Sequence, residues 1–428
     1  MDLQIGLLGC GTVGGGVVEL TRRRAEKIEA ITGRRPVITH ILVRDLAKQR
    51  PVALEHEQLT TRVADILEEP NIQVIIETIG GIEPAKSLIL SALKAKKHVI
   101  TANKDLIAVH GAEILETAEQ NGVSVFFEAA VGGAIPLIRP LKESLTANAI
   151  SDLKGIVNGT TNYILSKMTE TGADFDDVLK EAQELGYAES DPSSDVDGLD
   201  AARKLTILAT IGFHAKVRLD EVIVTGIRAV TAADVAYASE IGCVIKLLAA
   251  GSERDGVISL NVRPTLVPKA HPLAHVSDAY NALFVRGDAA GDLMFFGRGA
   301  GSLPTASAVV GDLIEVLRNI ELGVSGNEPL IRLQKVVNSK LSEPLKHYLR
   351  LSVEDKPGVF AKIAGIFGDS DVSMETVLQK RVKQGGAEVV IVTHEVSPVQ
   401  LESALLALQA EQSVQEIHSV MPVEVAGG

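Results

Sequence analysis

The feature that most constrains the fold is a glycine-rich turn near the N terminus. Residues 3–8 form a short apolar strand pattern, Gly9, Gly11 and Gly14 follow it, and a helical pattern then runs from residue 15 to about 30. In a strand–GxGxxG–helix unit, the first glycine permits the tight turn, the second lets the backbone approach a pyrophosphate, and the third allows close helix packing. The helix N-terminus then offers amides to phosphate. We predict a Rossmann-type α/β nucleotide-binding domain, the alternative being a glycine turn without a ligand.

Polar residues follow the next predicted strands. Strand 37–43 ends at Arg44 and Asp45, where a guanidinium pairs with the 2′-phosphate of NADP and a carboxylate with the ribose hydroxyl of NAD. Arg44 comes first and favours NADP(H) over NAD(H), and Asp45 leaves NAD(H) open. Two further strands end at Thr78 and at Asn103–Lys104. Ligands bind outside the carboxyl ends of parallel strands, so we expect these groups in one crevice, although Lys104 alone is as consistent with a strand-end charge.

The first domain is predicted to span residues 1–136. Strand 123–128 ends at Glu128 and leads into a glycine-rich turn. Its oxygen atoms can surround a monovalent cation, since hard ions take oxygen ligands, but a tight turn at a domain exit fits equally well. Residues 137–322 form a second, α+β domain for substrate binding and dimerisation, because helices and strands there segregate. It includes a helix at 232–250, and a helix at 304–319 is expected to return to the first domain.

An acidic stretch at residues 186–204 is where we place the chemistry. We expect its carboxylates to converge on one point, with Asp197 as the N-cap of a helix and Lys204 one turn after Asp200 on the same face. A solvated acidic loop that caps a helix is the alternative. The carboxylates are those of Glu189, Asp191, Asp195, Asp197 and Asp200.

The C-terminal part is predicted to be separate. Residues 323–346 are interpreted as a linker, and residues 347–428 follow the βαββαβ order of a ferredoxin-like domain. Gly358 and Val359 open a helix after a strand, close to Asp355. Exposed amides beside an acid suit a zwitterion such as an amino acid, whereas a purely structural or dimerising module is the alternative.

Composition excludes several classes of protein. The chain has 42 Lys plus Arg against 55 Asp plus Glu, a formal charge of -13, which argues against a nucleic-acid or acidic-membrane partner. Cys10 and Cys243 are the only cysteines among 428 residues, so a disulfide framework is not expected and a reducing cytoplasm fits. No apolar run approaches the length of a membrane span.

Taken together, the motifs resemble those of homoserine dehydrogenase. They are, in order, GCGTVG, TANKDLIA, EAAVGGAIP, NGTTNYIL, LGYAESDPSSDVDGLDAARK, HPLA and GAGSLPTASAV. The terminal segment, with DKPGVFAKIAGIF and VSMETVLQK, resembles an ACT regulatory domain. The resemblance spans essentially the whole chain, and the absence of an aspartokinase-like region indicates the monofunctional form.

The resemblance implies NAD(P)-dependent interconversion of L-aspartate 4-semialdehyde and L-homoserine, in the biosynthesis of threonine, isoleucine and methionine. It also implies allosteric inhibition by threonine through the ACT domain, and a homodimer or homotetramer. Two other classes remain open. An acylating semialdehyde dehydrogenase needs a nucleophilic cysteine near a histidine, and Cys243 lies in an apolar run that we predict to be helical. A non-catalytic amino-acid sensor would not need both lysines.

The same resemblance implies roles for single residues. Lys204 would donate the proton, Lys104 would be a second ammonium group, and Asp195 would orient the reacting oxygen and the lysine. Glu189 and Asp200 would bind the amino end of the substrate, with Asn158, Thr160 and Tyr187 lining the site. The cofactor would contact Gly9, Gly11, Thr12, Val13, Gly14, Arg44, Thr78, Lys104 and Gly301. A structural sodium ion would lie at Glu128, Val131, Gly133 and Ile135, and Ser194 has no assigned role.

Overall fold

The computed structural model describes residues 2–324, 335–338, 343–381 and 386–425. The chain divides into two compact units. The first unit is Met1–Leu153, Arg203–Asp220 and Asn281–Lys335, and the second is Lys154–Ala202, Glu221–Tyr280 and Val336–Gly428. Residues 325–334 and 339–342 of the predicted linker lie outside the described residues. Within the described ranges, no helix is both long and apolar enough to cross a membrane.

The strands are, in chain order, β1 (Asp2–Leu8), β2 (Arg35–Leu42), β3 (Gln58–Thr60), β4 (Ile72–Glu77), β5 (His98–Thr101), β6 (Val125–Phe126), β7 (Ile150–Ile156), β8 (Ile223–Val224), β9 (Cys243–Arg254), β10 (Val257–Pro268), β11 (Tyr280–Gly287), β12 (Gly291–Arg298), β13 (Val336–Asn338), β14 (Lys346–Glu354), β15 (Met374–Arg381), β16 (Gly386–Thr393) and β17 (Val414–Val423).

The α-helices are, in chain order, α1 (Thr12–Thr32), α2 (Ala64–Leu67), α3 (Ala85–Lys94), α4 (Lys104–Asn121), α5 (Gly159–Thr171), α6 (Phe175–Glu184), α7 (Ser193–Val196), α8 (Leu199–Gly212), α9 (Ala232–Glu240), α10 (Ser302–Leu322), α11 (Val359–Asp369) and α12 (Pro398–Ala410).

The first unit contains a parallel sheet with the strand order β3-β2-β1-β4-β5-β6. This is the doubly wound order of dinucleotide-binding folds, and the Rossmann prediction is confirmed. Its apolar strands are buried with α1 and α10 in one core, where Leu7 and Ile76 meet Val17 and Leu313. Helix α10 therefore packs on the nucleotide-binding sheet although it is far away in the sequence.

Glycine is required where α1 begins. A Cβ on Gly14 would lie 2.4 Å from the Gly9 carbonyl oxygen, so no larger residue fits there. Gly9 itself has a φ of 96°, in the left-handed region. The predicted turn geometry is thus present, and Gly9 and Gly14 lie at positions that other residues would strain.

The second unit contains a mixed sheet. Within this unit the strands follow the order β9-β10-β17-β14-β16-β15, and β8 and β13 also pair with β10. Strands β14 to β17 with α11 and α12 complete βαββαβ in the ferredoxin-like arrangement, as predicted. Alternate residues Leu349, Leu351 and Val353 of β14 pack against Ile363 and Leu408 of the two helices.

The helix predicted at residues 232–250 is wrong in its second half. Helix α9 ends at Glu240, because Gly242 adopts a left-handed φ of 78°. Residues 243–254 then form β9, which pairs with β10 as a hairpin through Asp255 and Gly256, both at positive φ. An Asp-Gly pair is a strong hairpin signal, and it was available in the sequence. Cys243 accordingly lies in a strand.

Two smaller elements differ from the prediction. Strand β6 is only Val125–Phe126, and Glu128 starts a short 3-10 helix rather than ending a strand. Sequence reasoning also missed β3 and α2, which follow β2. They are too short, at three and four residues, for a periodic pattern to be visible.

Candidate active site

The acidic stretch of the second unit is organised by one amide. The Asn158 side chain donates to Asp195 at 2.7 Å and to Asp200 at 2.9 Å. Its oxygen accepts from the Thr161 N–H at 2.8 Å and caps α5. Asn158 and Asp200 are each only 5% exposed. Two carboxylates are therefore oriented by a neutral donor at a helix start, an arrangement that suits binding of an ammonium group.

Local backbone geometry brings these two acids to the same amide. Asp195 lies on the one-turn helix α7, and Asp200 in the first turn of α8. Between them Gly198 has a φ of 83°, which only glycine adopts without strain. The chain therefore turns sharply, and the two consecutive helices both direct a carboxylate toward Asn158.

The expected convergence of all five carboxylates is wrong. Helix α8 begins at Leu199, so Gly198 and not Asp197 directly precedes it. Asp197 is the C-cap of α7, and its carboxylate forms an ion pair with Arg228 at 2.5 Å. Asp191 accepts from the Ser193 N–H at 3.1 Å, and hydrogen bonds from Ser193 lower its pKa. The Glu189 side chain is exposed. Asp195 and Asp200, in contrast, share the Asn158 amide as a partner.

Helix α5 also fixes the loop at the beginning of the acidic stretch. Thr160 donates its hydroxyl hydrogen to the Tyr187 carbonyl at 2.8 Å, and a hydroxyl has only one such hydrogen. The Tyr187 ring stacks on Tyr163 with centroids 4.6 Å apart. Burial, with the hydrogen bond to Glu181, raises the pKa of Tyr163 to about 12. The structure thus uses Thr160 and Tyr187 to position this loop.

In the first unit, an ion pair joins the segments that contain the two predicted catalytic lysines. Arg203 contacts Asp105 at 3.1 Å. Asp105 directly follows Lys104, and Arg203 directly precedes Lys204. Both lysines are partly buried. The start of α4 and this part of α8 are therefore held side by side.

The predicted cofactor crevice has a polar network at the carboxyl ends of β4 and β5. Glu77 is fully buried and accepts from the Thr101 hydroxyl at 2.6 Å and the Ile79 N–H at 2.6 Å. Asn103 caps α4 and donates to the Gly81 carbonyl at 2.6 Å. Sequence reasoning missed Glu77 and Thr101, although an acid that ends an apolar strand was a visible signal. These bonds fix the loop after β4 and the residue before Lys104.

Other predicted cofactor residues surround the glycine turn. Thr78 donates its hydroxyl to the Gly9 carbonyl at 3.1 Å. Gly301 precedes α10 at a φ of 126°, and Ser302 donates to the Thr12 carbonyl at 2.8 Å. Val13 is partly buried against the core, and Arg44 is exposed.

The two cysteines are not activated. Burial raises the pKa of both Cys10 and Cys243, so neither thiol has the lowered pKa of a catalytic nucleophile.

At the predicted cation turn, the Glu128 carboxylate already has partners. It accepts backbone N–H groups of Leu137 at 2.5 Å, Ile138 at 2.9 Å and Arg139 at 2.8 Å. A cation here would therefore depend on backbone carbonyls, such as those of Val131, Gly133 and Ile135. In the described part of the chain, no cluster of three or more His, Cys, Asp or Glu is arranged for a metal ion.

The predicted regulatory site is only partly as expected. Gly358 has a φ of 88° and precedes α11, and Asp355 is exposed. Val359, however, is buried in the core of the C-terminal βαββαβ domain, and its N–H donates to the Lys356 carbonyl at 3.3 Å. The Val359 N–H therefore already has a hydrogen-bond acceptor within the protein.

Comparison with known proteins agrees with this geometry. The family model of homoserine dehydrogenase matches residues 136–314, its NAD-binding domain matches residues 9–128, and the ACT domain matches residues 347–412. A homoserine dehydrogenase of Bacillus subtilis is 44% identical over 99% of this chain and 99% of its own length.

Solved structures extend the comparison. A homoserine dehydrogenase from Thiobacillus denitrificans is 41% identical, with a TM-score of 0.95 over 100% of this chain and 99% of that one. A hyperthermophilic archaeal homoserine dehydrogenase in complex with NADPH is 27% identical, with a TM-score of 0.62 over 74% of this chain and 98% of that one. Because the family models and a relative that covers 99% of this chain agree, the chain belongs to the homoserine dehydrogenase family, with a C-terminal ACT domain.

Proposed function

We propose that the enzyme interconverts L-aspartate 4-semialdehyde and L-homoserine in the branch toward threonine, isoleucine and methionine. The observation that best supports this is the Arg203–Asp105 ion pair at 3.1 Å, which places Lys104 and Lys204 on neighbouring segments. Two ammonium groups suit aldehyde reduction, because the reacting oxygen becomes negatively charged as hydride arrives.

The lysines then have different roles. A bound nicotinamide supplies hydride in one direction and accepts it in the other. Lys204 donates a proton to the developing alkoxide and takes it back from the alcohol in the reverse direction. Lys104 stabilises the negative oxygen and adjoins the cofactor crevice through Asn103.

The acids bind the amino-acid part of the substrate. Asp200 and Glu189 receive the substrate ammonium, and Asp195 orients the reacting oxygen and the lysine. The Asn158 amide supports these roles, because its two hydrogen bonds fix the orientation of the buried Asp200 carboxylate and the partly buried Asp195 carboxylate. Thr160 and Tyr187 shape the site through the loop that they hold.

The glycine turn fits a dinucleotide. A Cβ added to Gly11 would meet no atom within 4 Å, so there is room for a phosphate beside this backbone. We place NADP(H) there in preference to NAD(H), with Arg44 on the 2′-phosphate. Asp45 supports this choice, because its carboxylate accepts from the Ala47 N–H at 2.8 Å within its own turn. The archaeal relative with NADPH agrees with it.

Threonine is the proposed effector of the ACT domain. An end product that shares the ammonium and carboxylate groups of the substrate suits the loop with Asp355 and Gly358, where an acid lies close to the start of a helix. We expect threonine to inhibit the full chain, and a chain ending near residue 345 to be active and insensitive. A full chain that threonine does not inhibit would contradict this.

A sodium ion and self-association complete the proposal. The turn at Gly132 and Gly133, both at positive φ, allows backbone carbonyl oxygens to surround a monovalent cation, since hard ions prefer oxygen ligands.

A homodimer or homotetramer is supported by the exposed face of β12, where Met294 is 37% and Phe296 55% exposed. Light scattering in solution tests the assembly, and activity in sodium against lithium salts tests the ion.

The decisive test is NADP⁺ reduction that depends on L-homoserine, compared with NAD⁺. Phosphate-dependent NADPH formation from aspartate semialdehyde would instead indicate an acylating dehydrogenase, which the two buried cysteines disfavour. No turnover at all would leave the non-catalytic sensor. Arg203→Met should lower kcat, whereas Arg218→Met, which removes an exposed ion pair with Asp220, should not.

A further inference from the structure

A buried lysine outside the predicted site is unexplained by the roles above. Lys246 on β9 is 3% exposed. Its ammonium donates to the Val276 carbonyl at 2.6 Å, the Asn162 side-chain oxygen at 3.0 Å and the Ser166 hydroxyl at 3.5 Å. All three acceptors are neutral, and burial lowers the pKa of Lys246 to about 8. The negative charges of Asp278 and Glu170 oppose this lowering. Because burying a charge is costly even with acids nearby, the presence of this lysine calls for a function.

Asn162 is the residue that this lysine orients. Its amide nitrogen has two hydrogens, which it shares among three backbone carbonyls, those of Val276 at 3.1 Å, Asp278 at 2.9 Å and Tyr280 at 3.1 Å. Its oxygen faces Lys246. A flipped amide would point its hydrogens at the ammonium and its oxygen at three carbonyls, so Lys246 permits only one orientation.

The first turn of α5 connects Asn162 to Asn158, the amide that orients Asp195 and Asp200. The Asn162 N–H donates to the Asn158 carbonyl at 3.2 Å in the first turn of α5. The loop that Asn162 binds also approaches the helix closely, because a Cβ on Gly159 would lie 2.9 Å from the Ala279 carbonyl oxygen. Within the same loop, Asp278 has a positive φ of 53°. The helix start and the loop are thus locked together beside Asn158.

We propose that Lys246 is a positioning residue for the substrate site: through Asn162 it fixes the first turn of α5, and so the direction in which Asn158 presents Asp195 and Asp200. This inference depends on the proposed function, which assigns that cluster to the amino-acid substrate. Lys246 acts at a distance and touches no reacting atom.

The test is Lys246→Met, which keeps the length of the side chain and removes the charge. We expect the KM for L-homoserine to rise at least about tenfold and kcat to fall, while the KM for the nicotinamide cofactor stays within about twofold. A residue with only a structural role would lower the melting temperature and the active fraction without changing the KM for one substrate alone.

The first unit offers a matched control. Lys97 is 4% exposed and donates to the carbonyls of Glu69 at 2.8 Å and Ile72 at 2.7 Å. Lys97→Met therefore removes a second buried lysine with neutral acceptors. It should lower the melting temperature without raising the KM for homoserine. Equal kinetic changes in the two variants would overturn the proposal.

A second readout does not need catalysis. Deuterium exchange of the amides of residues 159–166 should be faster in Lys246→Met than in the natural enzyme, and unchanged in Lys97→Met. If the natural enzyme had no homoserine activity, the proposed function would fail, and exchange would still decide whether Lys246 fixes the helix start. If Lys246→Met did not fold, Lys246→Gln, which keeps an N–H donor without the charge, would be judged by the same criteria. Unchanged exchange and KM would refute the inference.

Discussion

Asn158→Asp is a specific single test of the way in which Asn158 holds Asp195 and Asp200. Aspartate has almost the same shape and caps a helix as well as asparagine, so the bond from the Thr161 N–H at 2.8 Å can remain. What changes is the other end of the side chain. A donor to two carboxylates, at 2.7 and 2.9 Å, becomes an acceptor with a negative charge.

The magnitude follows from these distances. Two charge-assisted hydrogen bonds are lost, each contributing about 1.5–3 kcal/mol. Repulsion between unit charges 2.7 Å apart is on the order of 6 kcal/mol at an effective dielectric constant of about 20. One pKa unit corresponds to only about 1.4 kcal/mol, so a repulsion of this size raises carboxyl pKa values by several units. The carboxyl groups of Asp195, Asp200 and the new side chain at position 158 should therefore share at least one proton at neutral pH.

Steady-state kinetics with L-homoserine provide the assay. A loss of about 3 kcal/mol of transition-state binding corresponds to roughly a 100-fold fall in kcat/KM at neutral pH. The raised pKa also makes the variant lose stability as the pH rises through neutrality, because its folded state then binds more protons than its unfolded state. Asn158→Ser is the control, since it keeps a capping oxygen and adds no charge. If Asn158→Asp were no worse than Asn158→Ser, or its stability rose with pH, the assigned geometry would be wrong.

Three further predictions concern single side chains. Lys204→Ala should lower kcat about 100-fold or more, as expected for loss of a general acid; near-normal turnover in the steady-state assay would exclude the role. Asp234→Ala should cost about 1.5–3 kcal/mol in urea unfolding, because the buried Arg350 loses a carboxylate at 2.8 Å and keeps its ion pair with Glu388 at 2.9 Å. Glu240→Ala, which removes an exposed pair with Lys380, should cost under about 1 kcal/mol. Burial, with the nearby Glu128, raises the pKa of Asp312 to about 8. Because the folded state then binds more protons than the unfolded state, the free energy of unfolding should fall as the pH rises from about 4 to 8. Asp312→Asn should flatten this pH dependence, and an unchanged slope in the variant would contradict the assignment.

The regular elements could be predicted because their patterns are local. The glycine turn, the parallel strands and the βαββαβ order all depend on residues close together in the chain. The error at residues 232–250 is of the same local kind. The apolar run Cys243–Val244–Ile245 suits a buried strand or a buried helix, and only Gly242 and the Asp255–Gly256 turn decide between them.

The polar interior could not be predicted in the same way. Lys246 lies 84 residues from Asn162 and 30 from Val276 in the sequence, and no spacing rule connects them. Asp197 shows the reverse error. A helix-capping pattern fits it locally, but Arg228, 31 residues away, takes its carboxylate. A buried hydrogen-bonding group is identified by partners that the fold supplies, so its role emerges only with the structure.

Two of the motifs that carry the family resemblance use asparagine in the same way. In TANK, the Asn103 oxygen caps α4 by accepting from the Leu106 N–H, and its amide nitrogen binds the Gly81 carbonyl. In NGTT, the Asn158 oxygen caps α5, and its nitrogen binds Asp195 and Asp200. Aspartate or serine would cap as well, but neither offers an amide that accepts at one end and donates two hydrogens at the other. The need for a donor therefore explains why both helices begin with asparagine: each fixes its own helix start and, in the same side chain, a neighbouring segment of the proposed site.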